Sequence, residues 1–119
     1  MFEIKVKTNF SAAHNLRNYR GKCERLHGHN WVVEAAFHYA SLDSVGMAVD
    51  FKVAKNLLKK VVERLDHSYL NELKFLGRVN PTSENIAKFI YECVKKKNRH
   101  LKAVSVWENE TSCATYTEG

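Results

Sequence analysis

The sequence predicts an α+β domain from three observations. Two stretches of alternating hydrophobicity open the chain, two of helical spacing fill its middle, and two more alternating stretches close it. Residues 2–13 alternate through Phe2, Ile4, Val6, Phe10 and Ala12, the pattern of a half-buried strand. Residues 14–27 are polar, contain Asn15, Asn18 and Gly21, and are expected to form a loop. Residues 30–40 are rich in β-branched and aromatic types, with apolar odd positions from Trp31 to Tyr39 and Glu34 and His38 on the other face. Helical spacing begins after Asp50, where Val53, Ala54, Leu57, Leu58, Val61, Val62 and Leu65 recur at three and four. A loop over 66–81 follows. Pro81 then precedes Thr82-Ser83-Glu84, which offers an N-cap hydroxyl and an acid in the first turn. The helix started there carries Ile86, Ala87, Phe89, Ile90, Cys93 and Val94 on one stripe. Strands over 102–108 and 111–117, with a turn near Asn109, complete the order ββααββ. That order implies one domain over 1–119, with two helices on one face of a four-stranded antiparallel sheet.

Composition narrows the function classes. With 119 residues, 45% of them apolar, the chain fits one globular core and no second domain. No stretch approaches the ~18–20 consecutive apolar residues of a membrane-spanning helix. The start, Met1-Phe2-Glu3-Ile4-Lys5-Val6, alternates instead of forming the apolar run of a signal peptide, so a cytoplasmic protein is expected. The net charge of +6 suits a nucleic acid, a polyphosphate substrate or mere solubility. The one tight basic run, Lys95-Lys96-Lys97, ends a helix, where cations complement the dipole. Cys23, Cys93 and Cys113 are an odd number without paired spacing, which fits reduced thiols rather than a disulfide framework.

The sharpest local feature is Cys23-Glu24-Arg25-Leu26-His27-Gly28-His29. Histidines at i and i+2 point to one side of an extended backbone, and Gly28 between them is expected to ease a close approach. His14 ends the first strand, which can pair with the second and bring three imidazoles together. Three neutral imidazoles make a catalytic zinc set with a fourth position left for water or substrate. A closed structural site with Cys23 as fourth ligand is the other arrangement, although Cys-His₃ is uncommon for it. Asp66-His67 follows the first helix. An aspartate beside a histidine can hold its tautomer, but adjacent side chains pair poorly, and a dipole-capping histidine explains the dipeptide as well. Cys93 is expected in the core, and His38 and His100 are expected to be ordinary.

Several motifs occur in a telling order: Phe10-Ser11-Ala12-Ala13-His14, Lys22-Cys23, Leu26-His27-Gly28-His29, Gly46-Met47 with Asp50-Phe51, Leu65-Asp66-His67 with Leu70-Asn71, Asn80-Pro81-Thr82-Ser83-Glu84-Asn85 and Val106-Trp107-Glu108. Together they resemble the 6-pyruvoyl-tetrahydropterin synthase superfamily over nearly the whole chain, and most of all its branch of 6-carboxy-5,6,7,8-tetrahydropterin synthases of queuosine and other deazapurine pathways. The resemblance implies the tunnelling fold, or T-fold, and zinc held by His14, His27 and His29. It implies a catalytic Cys23 within Cys-x₃-His-Gly-His, an acid–base pair Asp66 and His67 acting across a subunit boundary, and Glu108 as the carboxylate that anchors the pterin. Thr82 matches a position near that ring. The implied substrate is 7,8-dihydroneopterin triphosphate, and the implied assembly is a trimeric barrel stacked as a hexamer.

Two features depart from the pattern. Glu24 follows Cys23 where members vary, and relatives with glutamate in place of the cysteine cleave the side chain differently, toward folate. The turn after Glu108 reads Asn109-Glu110-Thr111, where threonine is usual at the first position. Two other readings stand beside the main one. The 6-pyruvoyl synthase reaction shares metal, substrate and base but leaves the side chain uncleaved. A small basic nucleic-acid-binding domain with structural zinc would need aromatics arrayed with Lys and Arg on one face.

Overall fold

The computed structural model describes residues 1–20 and 24–119. Strands β1 (Phe2–His14) and β2 (His27–Tyr39) pair antiparallel along their full length, from Phe2 opposite Tyr39 to His14 opposite His27. Helix α1 (Phe51–Val62), the two-residue strand β3 (Ser68–Tyr69), helix α2 (Ser83–Lys95) and strands β4 (Leu101–Trp107) and β5 (Cys113–Tyr116) follow. The sheet order is β3-β1-β2-β4-β5.

The period-2 reading of the strands holds because one face of the sheet is covered and the other is not. Val6, Phe10 and Ala12 of β1 and Trp31, Val33, Ala35 and Phe37 of β2 are buried, while Glu3, Lys5, Lys7 and Glu34 share the open face. Helix α1 packs on β1, and α2 packs on β4 and β5. They bury Ala54, Leu58, Val61 and Val62 from α1 and Ile86, Ala87, Ile90, Tyr91 and Val94 from α2. Asp50 caps α1 by accepting from Lys52 N–H at 2.8 Å, and Thr82 Oγ1 caps α2 through Asn85 N–H at 3.1 Å, as its hydroxyl predicted. A register shift between Ala36 and Phe37 leaves Lys102 as an extra residue in β4. Leu101 therefore joins Phe37 in the core although the alternation of Val104 and Val106 would turn it outward.

The sheet has five strands rather than the four expected, and it is mixed rather than purely antiparallel. Ser68 and Tyr69 run parallel to Ala12 and Ala13 of β1, inside the segment expected to be loop. Two residues carry no readable period; what places them is the anchoring of Asp66 and His67 to Ser11 described below. Two single 3₁₀ turns, Leu70–Glu72 and Lys74–Leu76, also fall in that segment and bury Leu70 and Leu76. Cys93 is only partly buried, packed against the core with Arg64 Nη1 at 3.8 Å from its sulfur. Trp31 is fully buried, stacked on Phe10 with centroids 5.7 Å apart, and donates Nε1–H to Ala12 O at 3.2 Å. Among the described residues, no helix is long and apolar enough to cross a membrane.

Candidate metal centre

The end of the β1–β2 ladder brings the three predicted histidines together. His14 lies opposite His27, and His29 lies opposite Ala12, so strand alternation turns all three rings to the helix-covered face. Glu108, directly after β4, joins them. Nitrogens of the three rings and one carboxylate oxygen lie within 4.8 Å of one another. Trp31 forms the wall beneath, with centroids 4.8 Å from His14 and 5.3 Å from His29. Gly28 turned out not to be sterically required: a Cβ there would meet Ala12 O at an ordinary 3.8 Å.

Hydrogen bonds determine which nitrogen each ring presents. His14 Nδ1 lies 2.7 Å from Pro81 O, and His27 Nδ1 lies 2.9 Å from Arg25 O. A carbonyl only accepts, so each Nδ1 carries the proton and each neutral ring turns a lone pair inward from Nε2. Those two Nε2 atoms are 3.1 Å apart. Glu108 Oε1 lies 3.1 Å from Nε2 of both His14 and His29. His29 Nε2 is buried and makes no hydrogen bond among the described residues, although Glu108 Oε1 is near. Burial also lowers the His29 pKa, assisted by His27 and His14 and opposed by Glu108, so its neutral, ligating form is favoured. Among the described residues, the inward lone pairs of His14 and His27, the unpartnered His29 Nε2 and the Glu108 carboxylate converge, an arrangement that a cation relieves. The donor set of imidazoles and one carboxylate suits a divalent metal.

The other predicted residues are distributed differently. Asp66 and His67 stand on the outer edge of β1, away from the ligand group. Ser11 N–H donates to Asp66 Oδ1 at 2.8 Å, and His67 N–H donates to Ser11 O at 2.6 Å. His67 adopts a left-handed backbone, φ 53°, that non-glycine residues rarely take. Its ring is 82% exposed with Nε2 3.4 Å from Asp66 Oδ2. Thr82 is the cap of α2 and follows Pro81, whose carbonyl holds His14. Cys23 lies outside the described residues. Pro81 O and Arg25 O went unread in the sequence because backbone carbonyls leave no side-chain signature. Placing Glu108 within reach of the histidines required the β2–β4 register. His38 and His100 do have partners: Glu3 Oε2 lies 2.7 Å from His38 Nε2, and His100 stacks on Tyr39.

Next to His29 is a shallow recess of about 280 Å³ lined by Ser11, Ala12, Gly28, His29 and Asn30. A larger one of about 450 Å³ lies on the open face between Lys7, Val32 and Trp107 and includes none of the ligands. Trp31 and Phe37, which a nucleic-acid surface would need exposed, are fully buried.

Comparison with known proteins gives this site its context. The family model described as 6-pyruvoyl tetrahydropterin synthase matches residues 3–119. A relative from Synechocystis sp. named 6-carboxy-5,6,7,8-tetrahydropterin synthase is 40% identical, over 98% of this chain and 93% of the relative. One of the same name from Aquifex aeolicus is 33% identical over 98% of each chain. The solved structure of Caenorhabditis elegans 6-pyruvoyl tetrahydropterin synthase superposes with a TM-score of 0.85 at 24% identity, over 99% of this chain and 96% of that one, and shows the shared fold.

Proposed function

The chain belongs to the 6-pyruvoyl tetrahydropterin synthase family, and on that premise we propose that it converts 7,8-dihydroneopterin triphosphate to 6-carboxy-5,6,7,8-tetrahydropterin. One water is consumed, triphosphate and acetaldehyde are released, and the product feeds queuosine and related deazapurines. The reaction makes the protein a lyase. The observation that carries this reading is the group itself, in which the inward lone pairs of His14 and His27, the buried His29 Nε2 and the Glu108 carboxylate meet.

His14, His27 and His29 would hold zinc, which when bound supplies Lewis acidity toward the substrate's side-chain hydroxyls. Cys23 acts as general acid–base, taking a side-chain proton as the thiolate; Lys22 and Arg25 beside it in sequence favour that form. His67, supported by Asp66, relays protons to and from the side-chain oxygens. Glu108 accepts the pterin's amino and ring N–H groups with its two oxygens, and Thr82 borders the ring. Triphosphate then leaves, a water adds to the side-chain carbon next to the ring, and retro-aldol-type carbon–carbon cleavage releases acetaldehyde and leaves that carbon as the carboxylate.

The exposed His67 ring supports a shared site. It stands on an edge of β1 that pairs with β3 only at Ala12 and Ala13, leaving the strand's earlier residues open to another chain. We assign a homo-oligomer, trimers stacked as hexamers, in which Asp66 and His67 serve the metal group of a neighbouring copy. A cytoplasmic location suits the reduced Cys23.

The test is product identification after the zinc-loaded protein meets dihydroneopterin triphosphate. A 6-carboxy pterin with stoichiometric acetaldehyde supports the reading. A 6-pyruvoyl product without acetaldehyde assigns the sister reaction that gives the family model its name. No pterin turnover by zinc-replete protein overturns both.

A further inference from the structure

Beyond His14 the β1 ladder ends, yet the backbone of the next three residues stays hydrogen-bonded, mostly through side chains. Asn15 donates N–H to Asn71 Oδ1 at 3.0 Å, and its carbonyl accepts from Asn71 Nδ2 at 2.7 Å. Arg17 repeats the pattern with Asn80, at 2.7 Å to Oδ1 and 2.8 Å from Nδ2. Between them Leu16 turns to Glu24: its N–H reaches Glu24 Oε1 at 3.2 Å, and its carbonyl accepts from Glu24 N–H at 2.8 Å. A carboxamide sets a donor beside an acceptor as a peptide group does, so one asparagine can replace one rung of a sheet. The alternation of residues 15 and 17 against 16 is that of a strand.

This extension leads out of one ligand and is tied to the supports of another. Asn80 precedes Pro81, whose carbonyl fixes His14 Nδ1, and the Asn80 carbonyl accepts from Thr82 N–H at 2.8 Å and Asn85 Nδ2 at 2.9 Å. Glu24 Oε1 stands 3.9 Å from His27 Nδ1, whose hydrogen bond goes to Arg25 O. Glu24 Oε1 thus accepts from the neutral backbone donor of Leu16.

We propose that Glu24, Asn71 and Asn80 are positioning residues that hold His14 and His27 in metal-binding geometry, with Glu24 acting as a hydrogen-bond acceptor and not as an acid–base group. The proposal rests on the reading of the three histidines as metal ligands. Glutamine keeps the acceptor that Leu16 N–H needs, whereas alanine removes it. Asn80→Asp keeps the acceptor for Arg17 N–H but sets an oxygen against Arg17 C=O.

The experiment measures zinc affinity by chelator competition and the absorption bands of the cobalt(II)-substituted protein, beside turnover, for Glu24→Gln, Glu24→Ala and Asn80→Asp. Glu24→Gln should stay within about threefold of wild type in zinc affinity and turnover with unchanged cobalt bands, while Glu24→Ala and Asn80→Asp should bind zinc roughly 10–100-fold more weakly with shifted bands. Turnover collapse with zinc retained in Glu24→Gln would mean that the carboxylate transfers protons, and the proposal fails. Wild-type zinc affinity in Glu24→Ala would overturn it equally. If Glu24→Ala does not fold, Glu24→Gln still decides, because loss of a proton-transfer group costs about 10²–10⁴ in rate. Should wild type bind zinc without turning over the pterin, the proposed reaction falls while the ranking of zinc affinities still judges the positioning.

Discussion

At one end of the β1–β2 ladder His14, His27 and His29 meet Glu108; at the other, on the same two strands, His38 meets Glu3. Both ends pair imidazole with carboxylate. At the first, the rings share the covered face, two carbonyls fix the tautomers of His14 and His27, and the lone pairs converge on one another. At the second, one imidazole and one carboxylate on the open face satisfy each other at 2.7 Å in contact with water. Residue type therefore does not make the site. Convergence of three imidazoles and a carboxylate on one point, behind the wall of Trp31, does.

The sharpest way to break that contrast is to remove a ligand. His27→Ala and His29→Ala should each lose stoichiometric zinc and all measurable turnover, and elemental analysis of the purified variants checks it. Normal zinc content in both would put the two ends of the ladder on the same footing. Cys23→Ala separates chemistry from ligation: zinc and fold should persist while kcat falls about 10²–10⁴-fold. Zinc loss in that variant would favour the closed Cys-His₃ site instead.

A smaller effect is expected at Glu108. In Glu108→Gln one acceptor oxygen becomes a donor facing a pterin N–H, a buried mismatch of about 1–3 kcal/mol, or roughly tenfold or more in affinity. Titration of a product-like pterin measures it. Zinc affinity in the same variant tells whether the carboxylate near the rings serves the metal or the pterin, since an anchor leaves it unchanged and a fourth ligand does not.

The smallest effect belongs to the open end. The hydrogen bond from His38, with Lys5 assisting, holds the Glu3 carboxyl below its usual range. A depressed carboxyl stabilises the fold above its unfolded pKa, and that contribution disappears as pH falls through the folded value. Glu3→Gln should therefore flatten the acid limb of the stability curve slightly and leave zinc and turnover untouched. Thermal melts from pH 7 down to pH 3 read the difference, and any loss of zinc would show that the two ends are coupled.

Much of this was legible in residues alone. Alternation marked β1, β2 and β4, the three-and-four spacing marked both helices, and Thr82 announced its cap. The convergence of His14, His27 and His29 followed from His-x-His on a strand that can pair with His14. Period and pairing are local rules, and a long ladder with one covered face leaves its register little freedom. Ser68–Tyr69 escaped notice because two residues have no period, and the bulge at Lys102 because an extra residue shows only against its partner strand.

What the sequence by itself determined is the α+β class, the three histidines that converge and, through ordered motifs, the family. Only the tertiary structure decided which nitrogens His14 and His27 present, that Glu108 stands among the rings, that Asp66 and His67 stand on the outer edge of β1, and that Glu24 is engaged with Leu16. The reason is physical. Side-chain period is written in neighbouring residues, whereas a tautomer or a borrowed strand rung depends on backbone groups brought close from distant parts of the chain, such as Pro81 to His14 and Asn80 to Arg17.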